Sequence, residues 1–342
     1  MLVRLLHVLV AGLLLSTMVL ARTTYTNPVG GDIRMGDPFV MRYQDTYYLY
    51  GTTAPFQCWQ SSNLVDWDYA GRAYTKTAES WGTGSFWAPE VIPYQGKFYM
   101  VYSCKRPDGE GFRLCLAVAE KPTGPFIDRY TPWFDDSSSN IDGHIFVDRD
   151  GTPYLFFDKV GAVGEPWKGP EHGHLYGIIY GVQLKRDLSA VIGAPVKCVE
   201  ADQKWELGTT PGHMSSHCNE GAFILRGGDT YYLTYSAGHY TDPLYGIGYA
   251  TASAPLGPWR KASDNPLVRR NLAAGVSGPG HSCITTSPDG TELFLVYHAH
   301  ADAEKPSGDR TVNIDRLVFD EEGRLKLQGP TRSPKPLPSG AK

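Results

Sequence analysis

Apolar positions along this chain fall into short runs rich in Tyr, Phe, Leu and Val, each opened by a turn residue, and no helical periodicity interrupts them. That is strand composition. The run "DTYYLTYS" (229–236) has a near twin in "DTYYLYGT" (45–52), and looser copies are "GKFYMVYS" (96–103), "GTPYLFFD" (151–158) and "TELFLVYH" (291–298). Starts at 45, 96, 151, 229 and 291 give steps of 51, 55, 78 and 62 residues.

The flanks repeat as well. The leaders "DPFVMRYQ", "APEVIPYQ", "DGHIFVDRD", "EGAFILRGG" and "HSCITTSPDG" each read as a short strand feeding a hairpin. Looser Pro- and Gly-rich followers, such as "AVAEKPTGPFID" and "YATASAPLGPWRK", read as outer strands. Groups of about four strands at such steps predict an all-β, five-bladed β-propeller with antiparallel blades around a central channel. The heads of the leaders would then meet at one mouth of the channel. They are Asp37, the Trp87–Glu90 segment, Asp142, Glu220 and His281. Acids gathered around one axis repel one another and lose hydration, so fold stability gives no reason for them. A functional site does.

The N-terminus has a separate logic. "MLVRLLHVLVAGLLLSTMVLA" has Arg4, an apolar stretch, and small residues at Val19 and Ala21, the pattern of a signal peptide over 1–21. This predicts a secreted or periplasmic protein, with no membrane association after cleavage and the propeller spanning 22–342. The Pro-rich end, about 330–342, predicts an irregular tail. A net charge of -4 argues against a nucleic-acid partner. The 21 Tyr and 8 Trp suit strands and also surfaces that bind flat or amphipathic ligands. Six Cys in an exported chain permit disulfides. Cys104 and Cys115 flank a hairpin turn, where a cross-strand bridge and two buried thiols are both open readings.

Paired carboxylates around a cleft in an exported, aromatic-rich chain point to glycoside hydrolysis, in which one carboxylic acid protonates the leaving oxygen and another carboxylate activates water. Glu220, followed by Gly221, Ala222 and Phe223, has the most apolar local setting and is the candidate acid. A further carboxylate can hold up its pKa.

These residues carry a resemblance. "NPVGGDIRMGDPFVMRYQDTYYLYGT", "FWAPEVIPYQGKFYMVYS", "NIDGHIFVDRDGTPYLFF" and "CNEGAFILRGGDTYYLTYS" resemble successive blades of glycoside hydrolase family 43, whose members are five-bladed propellers with an inverting mechanism. The resemblance makes Asp37 the general base, Asp142 the residue that tunes and orients the acid, and Glu220 the general acid. Asp32 is a weaker rival base, lacking the following proline and strand. Gly143 stands where many members have proline. The resemblance also implies a sugar contact for Arg310 and places His281 near a water-mediated calcium, although one imidazole says little for an ion that prefers oxygen. Trp87 and Phe86 can form an apolar wall for a sugar ring.

His172, His174, His213 and His217 fit no tetrahedral zinc template; their segments are expected to shape the cleft. The expected partner is a plant cell-wall carbohydrate, the expected state a monomer, and the chemistry needs no cofactor. Within the family an exo-acting α-L-arabinofuranosidase is expected, with β-xylosidase, endo-1,5-α-L-arabinanase and exo-β-1,3-galactanase as alternatives. A retaining fructan hydrolase would show an Asn-Asp-Pro-Asn-Gly type opening, which "MGDPFVM" is not. A catalytically silent sugar-binding propeller remains as the reading from another class.

Overall fold

A computed structural model describes residues 22–161 and 175–342. The signal peptide expected over 1–21, and His172 and His174, lie outside the described residues. The chain forms the expected five-bladed propeller, each blade a four-stranded antiparallel sheet. Blade 1 is built from Gly36–Tyr43, Thr46–Thr52, Phe56–Ser61 and Asp68–Tyr74. Blade 2 comprises Trp87–Tyr94, Lys97–Lys105, Phe112–Ala119 and Ile127–Tyr130. Blade 3 comprises Ser139–Val147, Pro153–Val160, Leu175–Leu184 and Val191–Val199. Blade 4 comprises Ser216–Gly227, Thr230–Ala237, Gly246–Ala252 and Arg260–Lys261. Blade 5 comprises Gly280–Thr286, Leu293–His300, Arg310–Phe319 and Leu325–Leu327.

Burial falls from the axis outward, which explains why the apolar runs are continuous rather than strictly alternating. The innermost strand of blade 5 is buried along nearly its whole length, whereas Val191–Val199 at the edge of blade 3 is mostly open. Apolar clusters fill the gaps between neighbouring blades. Leu114 and Val101 of blade 2 meet Ile145 and Leu155 of blade 3, and Ile247 of blade 4 meets Ile284 and Leu295 of blade 5. Fully burying one such side chain contributes about 1.5–3 kcal/mol. In blade 2 the hairpin turn Gln95-Gly96 has both residues at positive φ, 47° and 78°, as a two-residue turn matched to strand twist requires.

The ring closes through its two ends. Thr24–Tyr25 pairs with Lys335–Pro336, and Asn27 donates to the Ile314 carbonyl of blade 5 at 2.9 Å. The segment expected as an irregular tail is therefore fastened to the N-terminal strand, and Ser339 donates its backbone N–H to Glu292 at 2.8 Å. Blades 3 and 4 are joined by a short parallel ladder, Leu175–Gly177 against Ser216–Cys218. Cys104 and Cys115 are free buried thiols whose sulfurs stand 3.4 Å apart, so the bridge is not formed.

Candidate active site

The innermost strand of every blade breaks register at its head. The bulges fall between Gly36 and Phe39, Trp87 and Glu90, Ile141 and His144, Glu220 and Phe223, and Gly280 and Ser282. Each contains a residue at positive φ: Asp37 (53°), Ala88 (45°), Asp142 (53°), Gly221 (62°) and His281 (45°). Left-handed backbone is costly for residues other than glycine and persists where the surroundings enforce it, often at functional sites. Bulges re-aim the side chains at the channel mouth.

What enforces the strain is a ring of bonds between blades. Each bulge N–H donates to a side chain at or near the end of the second strand in the preceding blade. Asp37 donates to His298 (3.2 Å), Ala88 to Thr52 (2.8 Å), Asp142 to Ser103 (2.9 Å), Gly221 to Asp158 (2.9 Å) and His281 to Ser236 (2.6 Å). These acceptors are the final letters of the five repeated runs read from the sequence. The signal was visible there, but its meaning needed the neighbouring blade.

The pseudo-symmetry corrects one expectation. The blade 4 equivalent of Asp37 and Asp142 is Gly221, and Glu220 stands one residue earlier. A side chain in place of that glycine would be strained, because its φ is 62° and a Cβ there would stand 3.0 Å from the His281 ring. The acid is therefore displaced to the preceding position, where it still lines the same cavity as Asp37 and Asp142.

That cavity lies at the channel mouth, with a volume of about 330 Å³, and Trp87, His281 and Arg310 also line it. Asp37 and Asp142 flank His281, whose Nδ1 stands 3.6 Å from Oδ1 of Asp37 and 3.7 Å from Oδ2 of Asp142. Arg310 bonds Asp37 Oδ1 at 2.9 Å, and the Thr52 hydroxyl donates to Oδ2 at 2.5 Å. Gly36 makes room for the guanidinium, since a Cβ there would fall 2.0 Å from Arg310 Cζ. Glu220 accepts from the Tyr245 hydroxyl at 2.7 Å and from Cys218 Sγ at 3.5 Å.

The environments drive the carboxyls apart. Burial works to raise Asp37, but Arg310, His281, His298 and the Thr52 hydroxyl together hold it well below the usual carboxylate range. Burial raises Glu220, with Asp37 adding to the effect, against the Tyr245 hydroxyl, His281 and Cys218. Burial also pushes Asp142 up to about 7, where Glu220 and Asp37 raise it while His281 and Asp158 work the other way. His281 is lowered by burial but raised overall by the acids around it, Asp37 and Asp142 first. One carboxyl held low and others pushed up within one cavity is the division that acid–base hydrolysis of an acetal requires.

Other expectations divide. Trp87 lines the cavity beside Phe112, their ring centres 4.5 Å apart. Phe86 does not; just before the strand begins, it stacks on Tyr102, 5.8 Å away, and packs with Phe56 and Tyr74 in the gap between blades 1 and 2. Glu90 is buried against His144, with Nδ1 at 2.7 Å, while His144 Nε2 accepts the Ile224 N–H. Calcium seeks about six to eight oxygens. Asp37, facing His281, is already engaged by Arg310 and Thr52, and Glu90 is committed to His144, so the residues present fit calcium poorly. The rim residues His239, Tyr240 and Met214 were not foreseen. Asp242 accepts from Thr210 N (2.8 Å) and Oγ1 (2.6 Å), tying the segment that carries Met214 to blade 4, as expected of a cleft-shaping insertion.

The glycosyl hydrolase family 43 model matches residues 25–325. A thermostable family-43 glycoside hydrolase of known structure is 46% identical, covers 93% of this chain and 100% of its own, and superposes with a TM-score of 0.85. The chain is 25% identical to a beta-D-galactofuranosidase of Aspergillus niger, over 90% of this chain and 87% of that protein. It is 26% identical to an extracellular exo-alpha-(1->5)-L-arabinofuranosidase of Streptomyces avermitilis, over 80% of this chain and 56% of the other. With these matches spanning the propeller and its acidic mouth, the chain belongs to glycoside hydrolase family 43.

Proposed function

We propose that this glycoside hydrolase is an exported, exo-acting α-L-arabinofuranosidase that releases arabinose from plant polysaccharides and oligosaccharides. Inversion is the mechanism of the family, and its chemistry needs no cofactor. Asp37, held ionised by Arg310, takes a proton from water as that water attacks the anomeric carbon. Glu220, kept protonated by burial, gives its proton to the departing oxygen. Asp142 carries negative charge near Glu220 and favours the protonated acid until the bond breaks. His281 balances the charge between Asp37 and Asp142. Trp87 offers an apolar wall to the ring.

The observation that carries this reading is the cavity itself. About 330 Å³, with Asp37, Asp142 and Glu220 all on its lining, is room for a sugar ring beside all three carboxyls. The activity of the Streptomyces relative supports an arabinofuranoside. Export is supported by the extracellular character of that relative and by the N-terminal pattern; among the described residues no helix is long and apolar enough to cross a membrane.

The Aspergillus relative favours a second reading, a β-D-galactofuranosidase, because that match spans nearly the whole of both proteins. Both readings place a five-membered ring in the cavity. Turnover of nitrophenyl α-L-arabinofuranoside, β-D-galactofuranoside and β-D-xylopyranoside separates them, and release of monosaccharide alone from linear arabinan tests exo action. Larger oligosaccharides as first products would overturn the exo reading. Binding without turnover on every substrate would leave a silent sugar-binding propeller.

A further inference from the structure

In four blades the acceptor that holds the next bulge is a hydroxyl or an imidazole. In blade 3 it is a carboxyl, Asp158, which is completely buried. A backbone N–H needs only one acceptor, and a buried carboxyl is a costly way to supply it where acids already crowd. One oxygen of Asp158, Oδ2, accepts the Gly221 N–H. The other, Oδ1, is buried with no hydrogen-bond partner among the described residues.

The equivalent residue in blade 1 does more than accept. Thr52 takes the Ala88 N–H and also donates its own proton to Asp37, the bulge aspartate of its own blade. Asp158 stands in the same relation to Asp142. The residue across the ladder from it is Ile141, immediately before Asp142, at the edge of the bulge. An ionised Asp158 would have no proton to give and would repel its neighbour, whereas a protonated one reproduces what Thr52 does.

We propose that Asp158 is a positioning residue that keeps its proton throughout the reaction, donating from Oδ1 to the Asp142 carboxylate while Oδ2 holds the backbone beside Glu220. It would thereby keep Asp142 ionised and Glu220 aimed. Three titratable groups face it: Asp142 from its own blade, and Glu220 and Cys218 from the first strand of blade 4. Burial, Asp142 and Glu220 all push its carboxyl well above the ordinary range, and a proton donated from it would lower Asp142 in turn. Charge balance agrees, because four carboxyls meet only two cations here, Arg310 and His281.

This inference rests on the proposed tuning of Glu220 by Asp142, so three variants are compared. Asp158→Leu removes the donor; kcat is expected to fall about 10–100-fold, the scale of one charge-assisted hydrogen bond, with little change in KM. Its alkaline limb should move to lower pH, because Asp142 then takes up a proton and stops holding the acid's pKa up. Asp158→Asn offers both a donor and an acceptor and should recover most of the loss and the wild-type pH profile. In the infrared, above neutral pH, the carbonyl stretch of a protonated carboxyl should disappear from wild type to Asp158→Asn. If Asp158→Leu does not fold, the Asn variant and the infrared band decide the matter. The assignment is overturned if Asp158→Asn is as inactive as Glu220→Gln, if the band is absent from wild type, or if Asp158→Leu folds and keeps the wild-type profile. Asp142→Asn separates the two readings. An unchanged kcat and profile there would remove the role of Asp142 and the Asp158 inference with it, whereas an impaired Asp142→Asn beside a normal Asp158→Leu would remove only the latter.

Discussion

Nη1 of Arg310 lies 2.9 Å from Oδ1 of Asp37, an ion pair made across the seam between blades 5 and 1. Asp37, the proposed base, is thus held low by a cation from the last blade, against a burial effect that would raise its pKa. Arg310→Gln removes that cation. Burial then dominates, Asp37 takes up a proton at higher pH, and the acid limb of kcat/KM should move upward. Gly36→Ala should move the limb the same way by displacing the guanidinium, although position 36 is not on the cavity lining. An unmoved acid limb in both variants would remove Asp37 as the base.

Glu220 and Asp37 should respond differently to the leaving group. Glu220→Gln should lower cleavage of natural arabinosides about 10²–10⁴-fold. A dinitrophenyl glycoside departs without protonation, so it should lose far less. Asp37→Asn should impair both substrates alike, since no water is activated. The ratio of the two activities in each variant is the measurement, and NMR of the first-formed sugar should show inverted anomeric configuration.

Tyr245 donates to Glu220 and thereby favours its ionised form. In Tyr245→Phe that bond is gone, the acid holds its proton more tightly, and the alkaline limb should move to higher pH. A loss of about 2–10-fold in kcat is expected from the weaker placement of the acid. A limb that moved down would mean that the hydroxyl stabilises the protonated form.

Asp315, beside the closure of the ring, makes stability depend on pH. Burial raises its carboxyl to about 7, although the Tyr297 hydroxyl donates to it at 2.7 Å. The folded protein therefore binds this proton more tightly than the unfolded chain. The resulting stability is fully present below the ordinary carboxyl pKa and is lost as pH rises through about 7. Asp315→Asn should flatten that decline, and its melting temperature should gain on wild type as pH rises from the ordinary carboxyl pKa to about 7, then hold a constant lead above it. Every tenfold by which folding tightens proton binding is worth at most about 1.4 kcal/mol.

The repeats, the blade count and the cavity positions of Asp37, Asp142 and Glu220 were legible in the chain because strand composition and repeat phase are local properties. A run such as "DTYYLTYS" carries its turn, its strand and its inter-blade acceptor within eight letters. Phe86 and Trp87 show where that legibility stops. They are adjacent aromatics, yet one enters the gap between blades and the other the cavity, because successive side chains of an extended chain point to opposite sides. Glu220 stops it differently: its offset from Asp37 comes from the His281 ring, on the next blade and 61 residues away in sequence.

By itself the sequence determined the kind of strand, the number of blades and the acids that gather at the mouth, all of which follow from nearest-neighbour composition and period. The tertiary structure alone decided which carboxyl is held low and which are pushed up. Those states depend on distances between side chains from different blades or distant strands: Arg310 to Asp37, Tyr245 to Glu220, and Asp158 to the Gly221 N–H. Electrostatic and hydrogen-bond energies vary with separation and burial, and neither quantity is written along a chain.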